Sequence, residues 1–222
     1  MTQPLLLSLQ VATVATLIAL VVGVAASAVL SRWRSPLSVV LEVLVLLPLV
    51  LPPTVLGYFL LVALGERSPL GAWLASVGMP LIFTWRGAVV AAALVALPLV
   101  VLPTRSSLEA VPADLGDVAR TLGRSEAAVF FTLTLPLAWR GVLAGAMLGF
   151  ARALGEFGAT LMVAGSIPGR TQTLPLAIFD AAQRGDRSQA NMLALFLTLT
   201  AVGALLIIRR IGTRLADGGR RG

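Results

Sequence analysis

Apolar residues along this chain come in long unbroken runs, with charges gathered between them. Leu5 to Leu30 passes 26 residues without a charge. As a helix it would be about 39 Å long, at 1.5 Å per residue, and would cross a hydrocarbon core of about 30 Å with tilt to spare. Ala26-Ser27-Ala28 looks like a signal cleavage site. However, no positive side chain precedes the run, and it exceeds the roughly 7–15 residues of a signal core, so a retained span is expected. The second run, 37–64, carries one charge, Glu42, and contains Pro48, Pro52 and Pro53. The third, 81–102, has Arg86 near its start, where it can snorkel to the interface, and Pro98 as an expected kink near its end. The fourth, 137–165, is interrupted by Arg152 and Glu156, and the fifth is 191–208. The pattern predicts an all-α integral membrane domain of about five transmembrane helices, residues 5–208, followed by a basic tail, 209–222.

Composition sharpens this reading. Hydrophobic residues make up 58% of the 222 and charged residues 12%, about half the charged fraction usual in a soluble domain. Mean hydropathy is +0.95. Cysteine and histidine are absent and all 17 basic residues are arginine. That removes thiolate metal sites, the commonest general base, Schiff-base lysines and the lysine of a phosphate-binding loop. A membrane-embedded enzyme therefore has few catalytic options, and ATP is not bound through a phosphate-loop lysine of this chain.

The net charge of +7 does not mark a nucleic-acid binder, because the arginines form no single basic patch. They alternate between the two sides of a five-span topology. With the N-terminus outside, eleven arginines face inward (32, 34, 105, 120, 124, 140 and the tail's 209, 210, 214, 220 and 221). Five face outward (67, 86, 170, 184 and 187), and Arg152 lies within a span. The positive-inside bias favours N-out, C-in. It places the polar segment 103–135, with seven charges, in the cytoplasm.

That segment has the pattern of two short helices. Pro112 and Asp114 read as a start, with Asp117 placed as the carboxylate arm of a capping-box-like arrangement. Leu115, Val118, Ala119 and Leu122 form an apolar stripe, Gly123 is a C′ glycine, and Ser125 caps a second helix with Val129, Phe130 and Leu133 on its apolar face. The stripe fits docking onto a partner or packing on the chain's own bundle. Within the spans, Pro48, Pro52 and Pro53 break the backbone, which is tolerated at membrane depth where it lines a pathway or is buried in protein. Arg152 and Glu156 stand i, i+4 on one helix face and form a candidate intramembrane ion pair, either structural or part of the pathway.

Asp117-Val118-Ala119-Arg120-Thr121-Leu122-Gly123, followed by Leu135-Pro136, resembles the Glu-Ala-Ala motif of ABC-importer permeases, with Asp for Glu and Val for the first Ala. In that family the motif is the cytoplasmic coupling helix, which sits in a groove of the ATPase. Leu47 to Tyr58, Trp85 to Val89 and Phe150 to Thr160 are similar to stretches of its molybdate branch, with weaker forms in sulfate and tungstate permeases. The resemblance implies a type I ABC importer permease fold in the cytoplasmic membrane of a prokaryote. It implies a transport subunit rather than an enzyme. Asp117, Val118, Ala119, Leu122, Gly123, Leu135 and Pro136 would be the ATPase-coupling residues. It also implies a second permease copy, a cytoplasmic ATPase dimer holding ATP and Mg, and an external molybdate-binding protein, all set in lipid. No cofactor is expected in this chain. Molybdate, tungstate and sulfate remain alternatives for the substrate. A secondary transporter is a further alternative, although its usual midplane carboxylates reduce here to Glu156 and Glu42, without an inverted repeat.

Overall fold

The computed structural model describes residues 2–32 and 35–218, with side chains to residue 210. Arg34, Arg220, Arg221 and the side chain of Arg214, counted above for orientation, lie outside the described residues. Every regular element among the described residues is helical. Helix α1 (Thr2–Arg32) and α5 (Trp85–Glu109) are long, apolar and unbroken, as is the 187–210 portion of α12 (Arg187–Gly218). The second run is broken into α2 (Pro36–Val50) and α3 (Pro53–Leu64), whose axes turn by 118°. Three helices are thus long enough to cross a bilayer, or up to five if each bent pair is one span.

Several extents differ from the sequence pattern. Leu81 to Thr84 form a turn ahead of α5, because Thr84 is the N-cap, its hydroxyl accepting the Gly87 N–H at 3.3 Å. At its other end α5 passes through Pro98 and Pro103 and continues to Glu109, so the first seven residues of the polar segment extend the span as helix. Neither proline ends the helix. Pro98 is fully buried within the bundle, where neighbouring helices can re-satisfy the freed backbone. The fourth run is divided into α9 (Trp139–Leu154) and α10 (Gly158–Ala164), and two shorter helices, α4 (Pro69–Ser76) and α11 (Leu174–Gln183), lie between α3 and α5 and between α10 and α12.

The core is α1, α5 and α9. Its buried residues are mostly alanines, including Ala12, Ala15, Ala19, Ala88, Ala92 and Ala96. In lipid no hydrophobic force drives helices together, so close backbone approach by small residues supplies the packing. On α9 the small positions are Gly141, Gly145 and Gly149, four apart and all buried. A Cβ at Gly141 would run into the Pro103 carbonyl oxygen, one at Gly145 would lie 2.8 Å from that of Val100, and one at Gly149 2.8 Å from Val100 Cγ2. Val100 is pressed from the other side by Gly23 of α1, whose Cβ would stand 2.8 Å from Val100 Cγ1. Ser27 of α1 adds a hydrogen bond, its Oγ donating to the Val101 carbonyl at 3.2 Å. By contrast α12 is largely exposed, with Leu193 as its buried hydrophobic contact.

Gly145→Val is expected to destabilise the fold by about 1–3 kcal/mol, the usual cost of overpacking, because its obstacle is backbone. Thermal unfolding of the protein in detergent checks this: the melting temperature falls.

Candidate functional site

Two regions collect the residues singled out by the sequence. The first is a hook after α5. Helix α6 (Ala113–Thr121) has Pro112 as its N-cap, Asp114 in its first turn and no side-chain capping bond. The capping-box-like role expected of Asp117 is not formed, because its carboxylate accepts from Arg120 on the next turn instead. The helix ends in a Schellman turn: Arg124 N–H donates to the Ala119 carbonyl at 3.1 Å and Gly123 N–H to that of Arg120 at 2.9 Å. Gly123 sits at φ +81°, with open space where a Cβ would be. The constraint there is backbone handedness alone.

Nothing in α6 is buried. Leu115, Val118 and Leu122 are 43%, 59% and 78% exposed and Ala119 is half-buried. The stripe is therefore not packed into the bundle of this chain. The following turn is. Ser125 Oγ accepts the Ala128 N–H at 3.3 Å and opens α7 (Glu126–Val129), with Val129 buried and Phe130 and Leu133 half-buried. A π turn (Phe130–Thr134) leads into α8 (Leu135–Leu137). Pro136 has no N–H to give, and the ladder widens just before it, Leu135 N–H donating to the Phe130 carbonyl five residues back. Leu135 is half-buried and Pro136 exposed. The axis then bends 70° into α9.

Charge fastens the hook to the spans. Glu126 Oε1 lies 2.5 Å from Arg120 Nε, and its Oε2 lies 2.8 Å from Arg32 Nη1 at the end of α1. The Arg32 guanidinium also stands 5.8 Å from the Phe130 ring centroid. Beside this, Arg105 of α5 pairs with Glu42 of α2 at 2.8 Å and with Glu109 at 2.7 Å. Hydrogen bonding to Asp117 holds the Arg120 guanidinium above its ordinary pKa, so it stays charged at any physiological pH. The two clusters border a cavity of about 970 Å³ between α1, α2, α5 and the hook.

The second region is the meeting of two helix breaks beside the middle of α5. Pro48 does not break its helix. It lies buried inside α2, and the break comes after it, at Leu51 and Pro52. Leu51 precedes Pro52 and Pro52 precedes Pro53; both hold extended ψ values, 138° and 135°, as residues before proline do. Pro53 starts α3. Opposite it, α9 stops at Leu154 and α10 starts at Gly158, where an added Cβ would come within 3.1 Å of Pro53 Cβ and 3.3 Å of Thr54 N. One turn on, a Cβ at Gly57 would meet Ala159 Cα at 2.8 Å.

Glu156 secures this junction. Its side chain is 1% exposed, with Oε2 2.7 Å from Arg152 Nη2. Oε1 accepts the Ala159 N–H at 2.8 Å, placing a negative charge on the first turn of α10. Arg152, 29% exposed, is already neutralised, which makes it a weak ligand for a passing anion.

Sequence reasoning missed the Glu126–Arg32 and Glu42–Arg105 bridges, which join residues far apart in the chain, and the glycine ladder of α9. That ladder was visible as three glycines spaced by four.

Residues 13–219 match the family described as binding-protein-dependent transport system inner membrane component, and the chain belongs to that family. Among curated relatives, it is 44% identical over 207 residues to the molybdenum transport system permease protein ModB of Escherichia coli (strain K12), covering 92% of this chain and 90% of that one. It is 48% identical over 171 residues to ModB of Haemophilus influenzae, 76% of this chain and 75% of that one. With ModB of Mycobacterium tuberculosis it shares 42% over 214 residues, 96% and 80% of the two chains. The fold is similar to that in a crystal structure of an amino acid ABC transporter with histidines, with a TM-score of 0.63 over 95% of this chain and 92% of that one, at 17% identity.

Two substitutions probe the regions separately. Gly123→Val forces a β-branched residue to φ +81°, a strain of about 1–3 kcal/mol; transport should be lost while membrane insertion, followed by fractionation, is retained. Arg152→Ala leaves a buried carboxylate without its counter-charge. Because the arginine is partly exposed, a loss near the lower end, about 3 kcal/mol, is expected in detergent unfolding, with little change in which oxyanion is transported.

Proposed function

We propose that this chain is the permease subunit of an ATP-driven molybdate importer in a prokaryotic cytoplasmic membrane, oriented N-out, C-in. The observation that carries the reading is the near full-length identity of 44% to a molybdenum permease. The free-standing α6, with its exposed apolar stripe, supports the division of labour. Two copies of the permease enclose the pathway. A cytoplasmic ATPase dimer, which holds ATP and Mg, receives α6 of each copy through Asp117, Val118, Ala119, Leu122 and the turn at Gly123. An external binding protein delivers the oxyanion.

The mechanism follows from rigidity and its absence. Closure of the ATPase dimer displaces α6. The hook passes that displacement through the π turn and the Leu135-Pro136 corner into α9. Helix α9 is locked to α5 by the glycine ladder, so the two move as one body. The breaks at Leu51–Pro52 and at Gly155–Phe157 are the positions where helical hydrogen bonds are already given up. Relative motion of the halves there costs less than bending a continuous helix. The spans form the bistable element and nucleotide state biases it. A neutralised Arg152 leaves the pathway without a deep anion trap, as release of a dianion requires.

Uptake of labelled molybdate by vesicles carrying the permease, its ATPase and its binding protein tests the proposal. Uptake should require ATP and be competed by tungstate more effectively than by sulfate. ATP-dependent uptake confined to sulfate would reassign the substrate, and uptake driven by a proton gradient without the ATPase would overturn the importer reading.

A further inference from the structure

Helix α6 is joined to the rest of the molecule covalently and electrostatically. The chain enters it from α5 through residues 110–112 and leaves it through Gly123 into α7, the π turn and α9. The electrostatic join runs to a third helix, α1. Among the described residues, Arg120 is the one member of α6 whose side chain pairs beyond its own helix, and its partner is Glu126. Glu126 holds the opposite oxygen to Arg32, the last residue of α1, at 2.8 Å. One carboxylate therefore ties α6 at one oxygen and α1 at the other. Arg32 is braced against the Phe130 ring on the same turn as the hook. Both chain joins of α6 are turns, so without this carboxylate α6 could pivot on them against α5 and α9 and would have no direct hold on α1.

We infer that Glu126 is a positioning residue for transport, a clasp that braces α6 against the end of α1, so that its displacement reaches the interlocked α1, α5 and α9 instead of being spent on pivoting at those two turns. The inference rests on the permease reading above. The pairs are 43–57% exposed, so each is weak and sensitive to screening. A clasp of this kind adds little to folding. Its effect falls on how much of the stroke reaches the spans.

The test uses the complete complex in vesicles and reads molybdate uptake and ATP hydrolysis together. Glu126→Gln should lower uptake per ATP hydrolysed by about fivefold, a coupling effect of ordinary size, while hydrolysis continues. Raising the salt on the cytoplasmic side should lower the ratio of the parent toward that of the variant and leave the variant unmoved. The chain has no cysteine, so an Arg32→Cys, Arg120→Cys double variant, which joins α1 directly to α6, can be bridged by a short bis-maleimide. It should be uncoupled before bridging and recoupled after it. An unchanged ratio in Glu126→Gln, or a bridged protein that stays uncoupled, overturns the clasp. If Glu126→Gln fails to assemble, the bridged double variant decides alone. A parent complex that hydrolyses ATP but takes up no oxyanion would instead sink the permease reading.

Discussion

A helix interrupted within a bilayer exposes N–H and C=O groups that lipid cannot satisfy. The arrangement of this protein follows from how two such interruptions are accommodated. The break between α2 and α3 and the break between α9 and α10 lie against each other, protein against protein, alongside the middle of α5. Glu156 closes one of them by accepting a backbone N–H of α10 and holding Arg152 at the same time. Pro52 and Pro53 close the other by having no N–H to satisfy. The small contact residues, Gly57, Gly158 and Ala159, exist because backbone must approach backbone at that point.

Around this junction the molecule divides into a stiff part and a compliant part. Helices α1, α5 and α9 interlock through alanines and glycines at distances that admit no larger side chain. Helices α2 and α3 hinge about prolines, and α12 lies on the periphery with one side free. The hook joins the stiff part at three corners, covalently at α5 and α9 and by charge at α1. Such a division suits an alternating-access device: the elements that receive force do not deform, and those that deform are already broken.

Much of this was legible in the sequence, for identifiable reasons. Long uncharged runs have one stable solution in lipid, so the helices followed from composition. Gly123 and Ser125 announced their turn because left-handed backbone and hydroxyl capping are local properties. The extents of elements were less legible. Leu81 to Thr84 are as apolar as the helix after them, and a hydroxyl cap rather than hydropathy decided where α5 begins. The polar segment begins at Pro103 in the sequence, but the helix of α5 carries on through it to Glu109. Asp117 was placed as a backbone cap, and the nearer guanidinium of Arg120 captured it. Glu126 looked like a helix-terminal charge because its partner Arg32 lies 94 residues away in the chain, a distance over which no local pattern carries information.

Because no residue of α6 is buried, replacing its outward side chains costs the membrane core nothing. Selection on that strip acts through the partner it meets and not through foldability. A lineage can therefore retune which motor it accepts while its bundle stays fixed, and two related assemblies in one cell can diverge in motor choice by drift on three or so surface positions.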